Sequence, residues 1–293
     1  MIQHFRFGSP IRTDSVVQDI PVSTGAVPFL TADADGWVYT MAPDAIVYGL
    51  GEMPRGINKR GWHYVANNTD ESHHGENKVS YYGAHNFLLI DGGPGGDLFG
   101  VFVDFPGKVH YDIGYTVHDT LRFATEEPDY ELYILTGADL NDIAHQFRQL
   151  IGRSYIPPKW AFGLQQSRWG YKTAEDVREV ARQYKENDLP LDMICMDIDY
   201  MQDYADFTIN KERFPDLAAL AAELKAQGIR LVPIIDAGVR IDPEEPTCTE
   251  GLEKGYFCKK EDGTPFVAAV WPGKAYFADF LRPEVRAWFG HRY

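Results

Sequence analysis

The chain has 293 residues, 44% of them hydrophobic and 24% charged, enough for one large domain or two ordinary ones with a sizeable core. Its 28 Lys and Arg against 43 Asp and Glu leave a formal charge of 28 − 43 = −15, which repels phosphate backbones and anionic lipid and argues against nucleic-acid and membrane-surface partners. No apolar run approaches the ~18–20 residues of a membrane span. The N-terminus, Met1-Ile2-Gln3-His4-Phe5-Arg6-Phe7, lacks a signal-peptide core, and Cys195, Cys248 and Cys258 show neither disulfide nor metal spacing, so we expect a cytoplasmic protein.

In chain order, the first half reads as β structure. Ile46 to Tyr48, Phe87 to Ile90, Phe99 to Phe105, Val109 to Ile113 and Tyr130 to Leu135 are short aromatic and branched runs separated by turn clusters such as Gly92-Gly93-Pro94-Gly95-Gly96. This spacing predicts an antiparallel sandwich, with Tyr130, Leu132 and Ile134 on one face. Ile143, Phe147 and Leu150 then share a helical face, and Gly152 to Pro158 breaks that helix, so a domain boundary is placed at 150/151.

Beyond the boundary, strand and helix signals alternate. A strand is predicted at Trp160 to Gln165 and a helix after the capping box Thr173-Ala174-Glu175-Asp176, with Val177, Val180, Ala181 and Tyr184 on one face. A buried parallel strand follows at Leu191 to Met196, then a helix at Asp216 to Gln227. A strand at Ile229 to Ile235 comes next, weakened by Pro233. These make about three β/α units of a parallel sheet, against the eight of a closed barrel, and Pro283 to Tyr293 begins another helix.

Chemistry gathers at the strand ends. Asp197 and Asp199 follow the run ending at Met196, and residues two apart on a strand face one side. Asp236 ends the next run in the same way. Carboxyl ends of parallel strands are where such folds bind ligands; capping the next loop or pairing with an Arg is the other role open to these acids. Trp169 follows the first strand and Trp271 follows Phe266 to Val270. Acids accept bonds from hydroxyls and flat rings cover the C–H face of a pyranose, so the cluster suits a sugar, although either Trp alone is equally ordinary packing. The loop Asn67 to Glu76 holds two His and three acids in no standard metal spacing, and reads as a solvated loop or one reaching into a site. Tyr48-Gly49-Leu50-Gly51-Glu52 lacks the rest of any phosphate-cradling motif.

Seven motifs in order, Tyr48-Gly-Leu-Gly-Glu52, Ile156-Pro-Pro-Lys-Trp160, Gln166-Ser-Arg-Trp-Gly-Tyr171, Asp197-Ile-Asp-Tyr-Met201, Asp206-Phe-Thr208, Phe214-Pro215 and Val270-Trp-Pro-Gly273, give the chain a family likeness. It resembles the glycoside hydrolase family 31 α-glucosidases over nearly its whole length. The resemblance implies a galactose-mutarotase-like β-sandwich over 1–150 and the first part of a TIM-type (β/α)8 barrel over 151–293. It implies that Asp197 holds hydroxyls of a non-reducing glucose and that Asp70 enters the site from the sandwich loop. Trp169, Ile198, Ile234, Asp236 and Trp271 would line the pocket. The implied ligand is an α-glucoside oligosaccharide, with no metal or organic cofactor; homo-oligomerisation of a full-length protein is left open. These enzymes are retaining, and their nucleophile sits in a Trp-x-Asp-Met-Asn-Glu motif absent from this sequence, so no catalytic residue is assigned. The expectation is an N-terminal portion, inactive alone, of an enzyme releasing terminal α-linked glucose. The alternatives are a non-catalytic sugar-binding or scaffold protein, or a family 31 α-xylosidase or transglucosylase.

Overall fold

Alternating apolar residues pair the first ten strands into two sheets. The computed structural model describes residues 1–293 and divides into two units, Met1–Ser154 and Tyr155–Tyr293. In the first unit the strands are β1 (Ile2–Phe7), β2 (Thr31–Asp33), β3 (Gly36–Thr40), β4 (Ile46–Gly51), β5 (Trp62–Ala66), β6 (Ala84–Asp91), β7 (Leu98–Asp104), β8 (Val109–Ile113), β9 (Thr120–Thr125) and β10 (Tyr130–Thr136). They form two five-stranded antiparallel sheets, ordered β1-β10-β7-β6-β4 and β2-β3-β9-β8-β5.

The core of this unit takes Val47, Leu88, Ile90, Phe99, Val101, Leu132 and Ile134 from one sheet and Tyr64, Val109, Tyr111, Ile113, Leu121 and Phe123 from the other. Tyr130 packs against it from the edge. The intervening Phe102, Tyr133 and Leu135 point to the opposite face, where α1 (Leu140–Leu150) covers them with Ile143 and Leu150. Burial on both faces is why β7 and β10 read as near-continuous apolar runs. The glycines of Tyr48-Gly-Leu-Gly have a structural role: the pairing of β4 with β6 shifts register between Gly49 and Gly51, and a Cβ on Gly49 would collide with the Phe87 carbonyl.

The second unit is built around three parallel strands, β11 (Gln165–Arg168), β12 (Met193–Met196) and β13 (Arg230–Pro233), in that order. Two helices connect them, α2 (Ala174–Glu186) and α3 (Leu217–Ala226), packing Val177, Ala181, Leu220 and Leu224 onto Ile194 and Met196. The expected strand at Trp160 to Gln165 is displaced. Pro157-Pro158 leads into a 3-10 turn over Lys159–Phe162, with Ala161 N donating to Pro158 O at 2.9 Å, and pairing begins only at Gln165. Gly163 lets the chain pass the Asp192 side chain, which a Cβ there would strike.

Pro233 is the last residue of β13, and the next amide, Ile234 N, still donates to Met196 O at 3.0 Å. Ladder bonds alternate sides along a strand, so the missing proline amide falls on the far edge and costs this pairing nothing. Phe266 to Val270 does not extend the parallel sheet. β14 (Gly238–Arg240), β15 (Val267–Val270) and β16 (Gly273–Phe277) form a separate antiparallel sheet ordered β14-β16-β15, backed by α4 (Pro246–Glu253) and α5 (Pro283–Arg292). The architecture is thus a sandwich followed by a partial, unclosed barrel. No helix is long and apolar enough to cross a membrane.

The capping box of α2 is present, with Asp176 N donating to Thr173 Oγ1 at 3.2 Å and Thr173 N to Asp176 Oδ2 at 2.9 Å. Replacing Thr173 by Ala is expected to cost about 1 kcal/mol. In calorimetry of the chain that lowers Tm by about 2–4 °C; an unchanged Tm would show that the cap contributes nothing.

Candidate functional site

The parallel register fixes which residues meet at the strand ends. Arg168 is level with Met196, and Met196 with Pro233. The first residues beyond the three strands are therefore Trp169, Asp197 and Ile234, side by side, with Asp236 two residues further on.

The sequence after Met196 does not continue as a strand. Asp197 accepts the Ile198 amide at 2.7 Å and opens a 3-10 turn over Ile198–Tyr200. The turn destroys the expected i, i+2 arrangement of Asp197 and Asp199. Asp197 stays half-buried, whereas Asp199 is 3% exposed and its Oδ2 accepts Gly170 N at 3.1 Å. Tyr200 donates its hydroxyl to Ile234 O at 2.8 Å. The turn after β12 is thereby latched to the loops after β11 and β13.

Of the second-unit residues singled out from sequence, Trp169 and Trp271 come together: their rings stack with centroids 6.3 Å apart and planes at 28°. They are 60% and 66% exposed. Trp271 reaches this position from the β15–β16 turn. Ile234 is exposed at the end of β13. Ile198 is placed differently, buried in the core with Ile194, Met196 and Phe214. Asp70 lies in the first unit, exposed, on the loop between β5 and β6, where its carboxylate accepts from Tyr82 and raises that phenol's pKa. In the same loop Glu71 pairs with Lys78 at 2.7 Å and accepts the His73 amide at 2.8 Å. Arg55 donates to Glu76 O at 2.9 Å while its guanidinium lies 4.2 Å over the Trp62 ring.

The electrostatics at the strand ends are one-sided. Burial, then the nearby Asp197 charge, push the Asp236 carboxyl above the usual range. The Asp236 amide donates to Asp206 Oδ1 at 3.2 Å. No Lys or Arg forms an ion pair with Asp197, Asp199, Asp206 or Asp236. The role as Arg partner that the sequence left open is therefore not the one adopted. Asp197 and Asp236, the two of these acids that are only half-buried, offer carboxylates that can accept from hydroxyls beside an exposed aromatic pair, the combination that suits a polyhydroxylated ring. Sequence reasoning missed Asp206 and Tyr200 as members of this constellation. Both stand inside the quoted motifs, but the burial that makes them matter depends on how the loops fold over one another.

Comparison with known proteins agrees with this layout. Residues 154–293 match the description "Glycosyl hydrolases family 31 TIM-barrel domain" and residues 26–112 "Glycosyl hydrolase 31 N-terminal galactose mutarotase-like domain". The chain is 40% identical over 248 residues to alpha-glucosidase 2 of Bacillus thermoamyloliquefaciens, covering 84% of this chain and 31% of that protein. It is 30% identical to alpha-xylosidase 1 of Arabidopsis thaliana, covering 86% and 28%. Among solved structures it superposes on a family 31 dextranase of Flavobacterium johnsoniae complexed with isomaltotriose. The TM-score is 0.78 at 25% identity, covering 92% of this chain and 33% of the other. The chain thus spans about a third of the length of each of these relatives. Sandwich first, barrel strands second, each matched in its own right: the chain belongs to glycoside hydrolase family 31.

Proposed function

We propose that this chain supplies the sandwich and the first barrel strands of a retaining α-glucosidase that hydrolyses terminal α-linked glucose from oligosaccharides. In this reading Asp197 and Asp236 hold hydroxyls of the terminal glucose, Trp169 and Trp271 cover its flat face, and Ile234 borders it. Ile198 acts from beneath by supporting Asp197. The observation that carries the proposal is the shared level of Trp169, Asp197 and Ile234 beyond three adjacent parallel strands, with Asp236 and Trp271 beside them. The names of the bacterial α-glucosidase and of the dextranase with its bound isomaltotriose support an α-glucoside ligand.

A second reading, α-xylosidase, is supported by the Arabidopsis relative. A protein carrying this chain together with the rest of a family 31 barrel separates the two. We expect it to cleave p-nitrophenyl α-glucoside with kcat/KM at least tenfold above the α-xyloside, and to release the α-anomer first by proton NMR. Preference for the xyloside selects the second reading, and cleavage of neither rejects both.

A further inference from the structure

Asp206 belongs to none of the roles above, yet it is the most unusual acid in the second unit. It follows the turn after β12 and is 3% exposed. Its Oδ1 accepts the Asp236 amide, while its Oδ2 and the Oδ2 of Asp236 are shut away from solvent without a hydrogen-bond partner. The groups facing it are Asp236 on the loop after β13, Glu245 at the start of α4, and the Tyr200 hydroxyl on the turn after β12. None is a cation. Burial raises the Asp206 pKa, the Asp236 amide partly offsets this, and the Asp236 and Glu245 charges add to the rise, bringing it to about 7.

We propose that Asp206 is a positioning residue: neutral, it anchors the loop that carries Asp236 by accepting that residue's amide, and ionised, it sets a buried charge against the adjacent, half-buried Asp236 carboxylate and loosens that loop. The inference rests on the reading of Asp236 as a sugar-holding residue. The sign follows from the direction of the shift. An acid whose folded pKa lies above its ordinary 3.8 keeps, in the native state, a proton that the unfolded chain gives up. Anchoring is therefore complete in mild acid and is lost as pH rises through about 7.

The test uses the complete enzyme containing this chain and p-nitrophenyl α-glucoside as probe. KM is expected to rise about fivefold to tenfold from pH 6 to pH 8 while Asp206 is present. In Asp206→Asn, which keeps an oxygen for the Asp236 amide and cannot ionise, KM should stay flat over that range, with the difference falling on KM and not on kcat. The same substitution should raise Tm at pH 8 by more than at pH 5, an effect that needs no sugar contact. A parent KM that does not change with pH, or an Asp206→Asn profile parallel to the parent's, overturns the proposal. Asp236→Asn tests the underlying site separately: an unchanged KM at pH 6 rejects Asp236 as a sugar-holding residue, whatever the melting curves show.

Discussion

The 293-residue chain purified alone is expected to release no p-nitrophenol from its α-glucoside above a buffer blank. Retaining hydrolysis needs two carboxyl groups about 5–5.5 Å apart on opposite sides of the scissile bond, one to attack and one to protonate. The acids at the strand ends cannot supply that pair. Asp197 and Asp199 are neighbours on one turn, and the Asp199 carboxylate is buried against Gly170 N. Asp206 is equally enclosed. The family's nucleophile motif does not occur in the sequence. Removing the covalent route takes away the main source of rate, and the binding that remains cannot replace it. Turnover by the isolated chain, abolished by Asp197→Asn, would show that the catalytic pair has been misplaced.

Within a complete enzyme, Asp197→Ala is expected to lower kcat/KM for the α-glucoside by about 10²–10³-fold. A charge-assisted hydrogen bond contributes about 1.5–3 kcal/mol, and hydroxyl contacts strengthen further in the transition state. Asp197 also caps its own turn by accepting Ile198 N, so alanine alone would confound two roles. Asp197→Asn keeps an oxygen for the cap and removes the charge; it should still lose at least tenfold, with Tm within about 2 °C of the parent. A loss of less than threefold in both variants would leave Asp197 a loop cap and nothing more.

The strands whose ends carry the proposed site were readable because burial wrote itself into composition. Met193–Met196 is packed against α2 and α3, and the run Leu191 to Met196 is correspondingly apolar. β11 was misplaced for the converse reason. Gln165–Arg168 has no apolar signature, while the aromatic Trp160 to Phe162 beside it is held in a 3-10 turn behind Pro157-Pro158. Val267–Val270 has the composition of a strand, but nothing local specifies that its partner is β16 and not the parallel sheet. The motifs pointed to Trp169, Asp197 and Trp271, and the apolar run Ile229 to Ile235 pointed to the Asp236 that follows it. They could not show that Asp199 turns inward or that Asp206 is enclosed, because both outcomes depend on loops from three different strands meeting.

The latch between Asp199 and Gly170 has a thermodynamic consequence. Trp169 is widely exposed, as a landing surface must be, yet the peptide unit that follows it is held at both its polar ends: its carbonyl accepts Arg168 Nε at 3.1 Å and the Gly170 amide donates to the buried Asp199. Fixing a loose residue costs roughly 1–2 kcal/mol of conformational entropy. Here folding has already met that cost, so a ligand settling on the indole keeps more of its interaction energy as affinity.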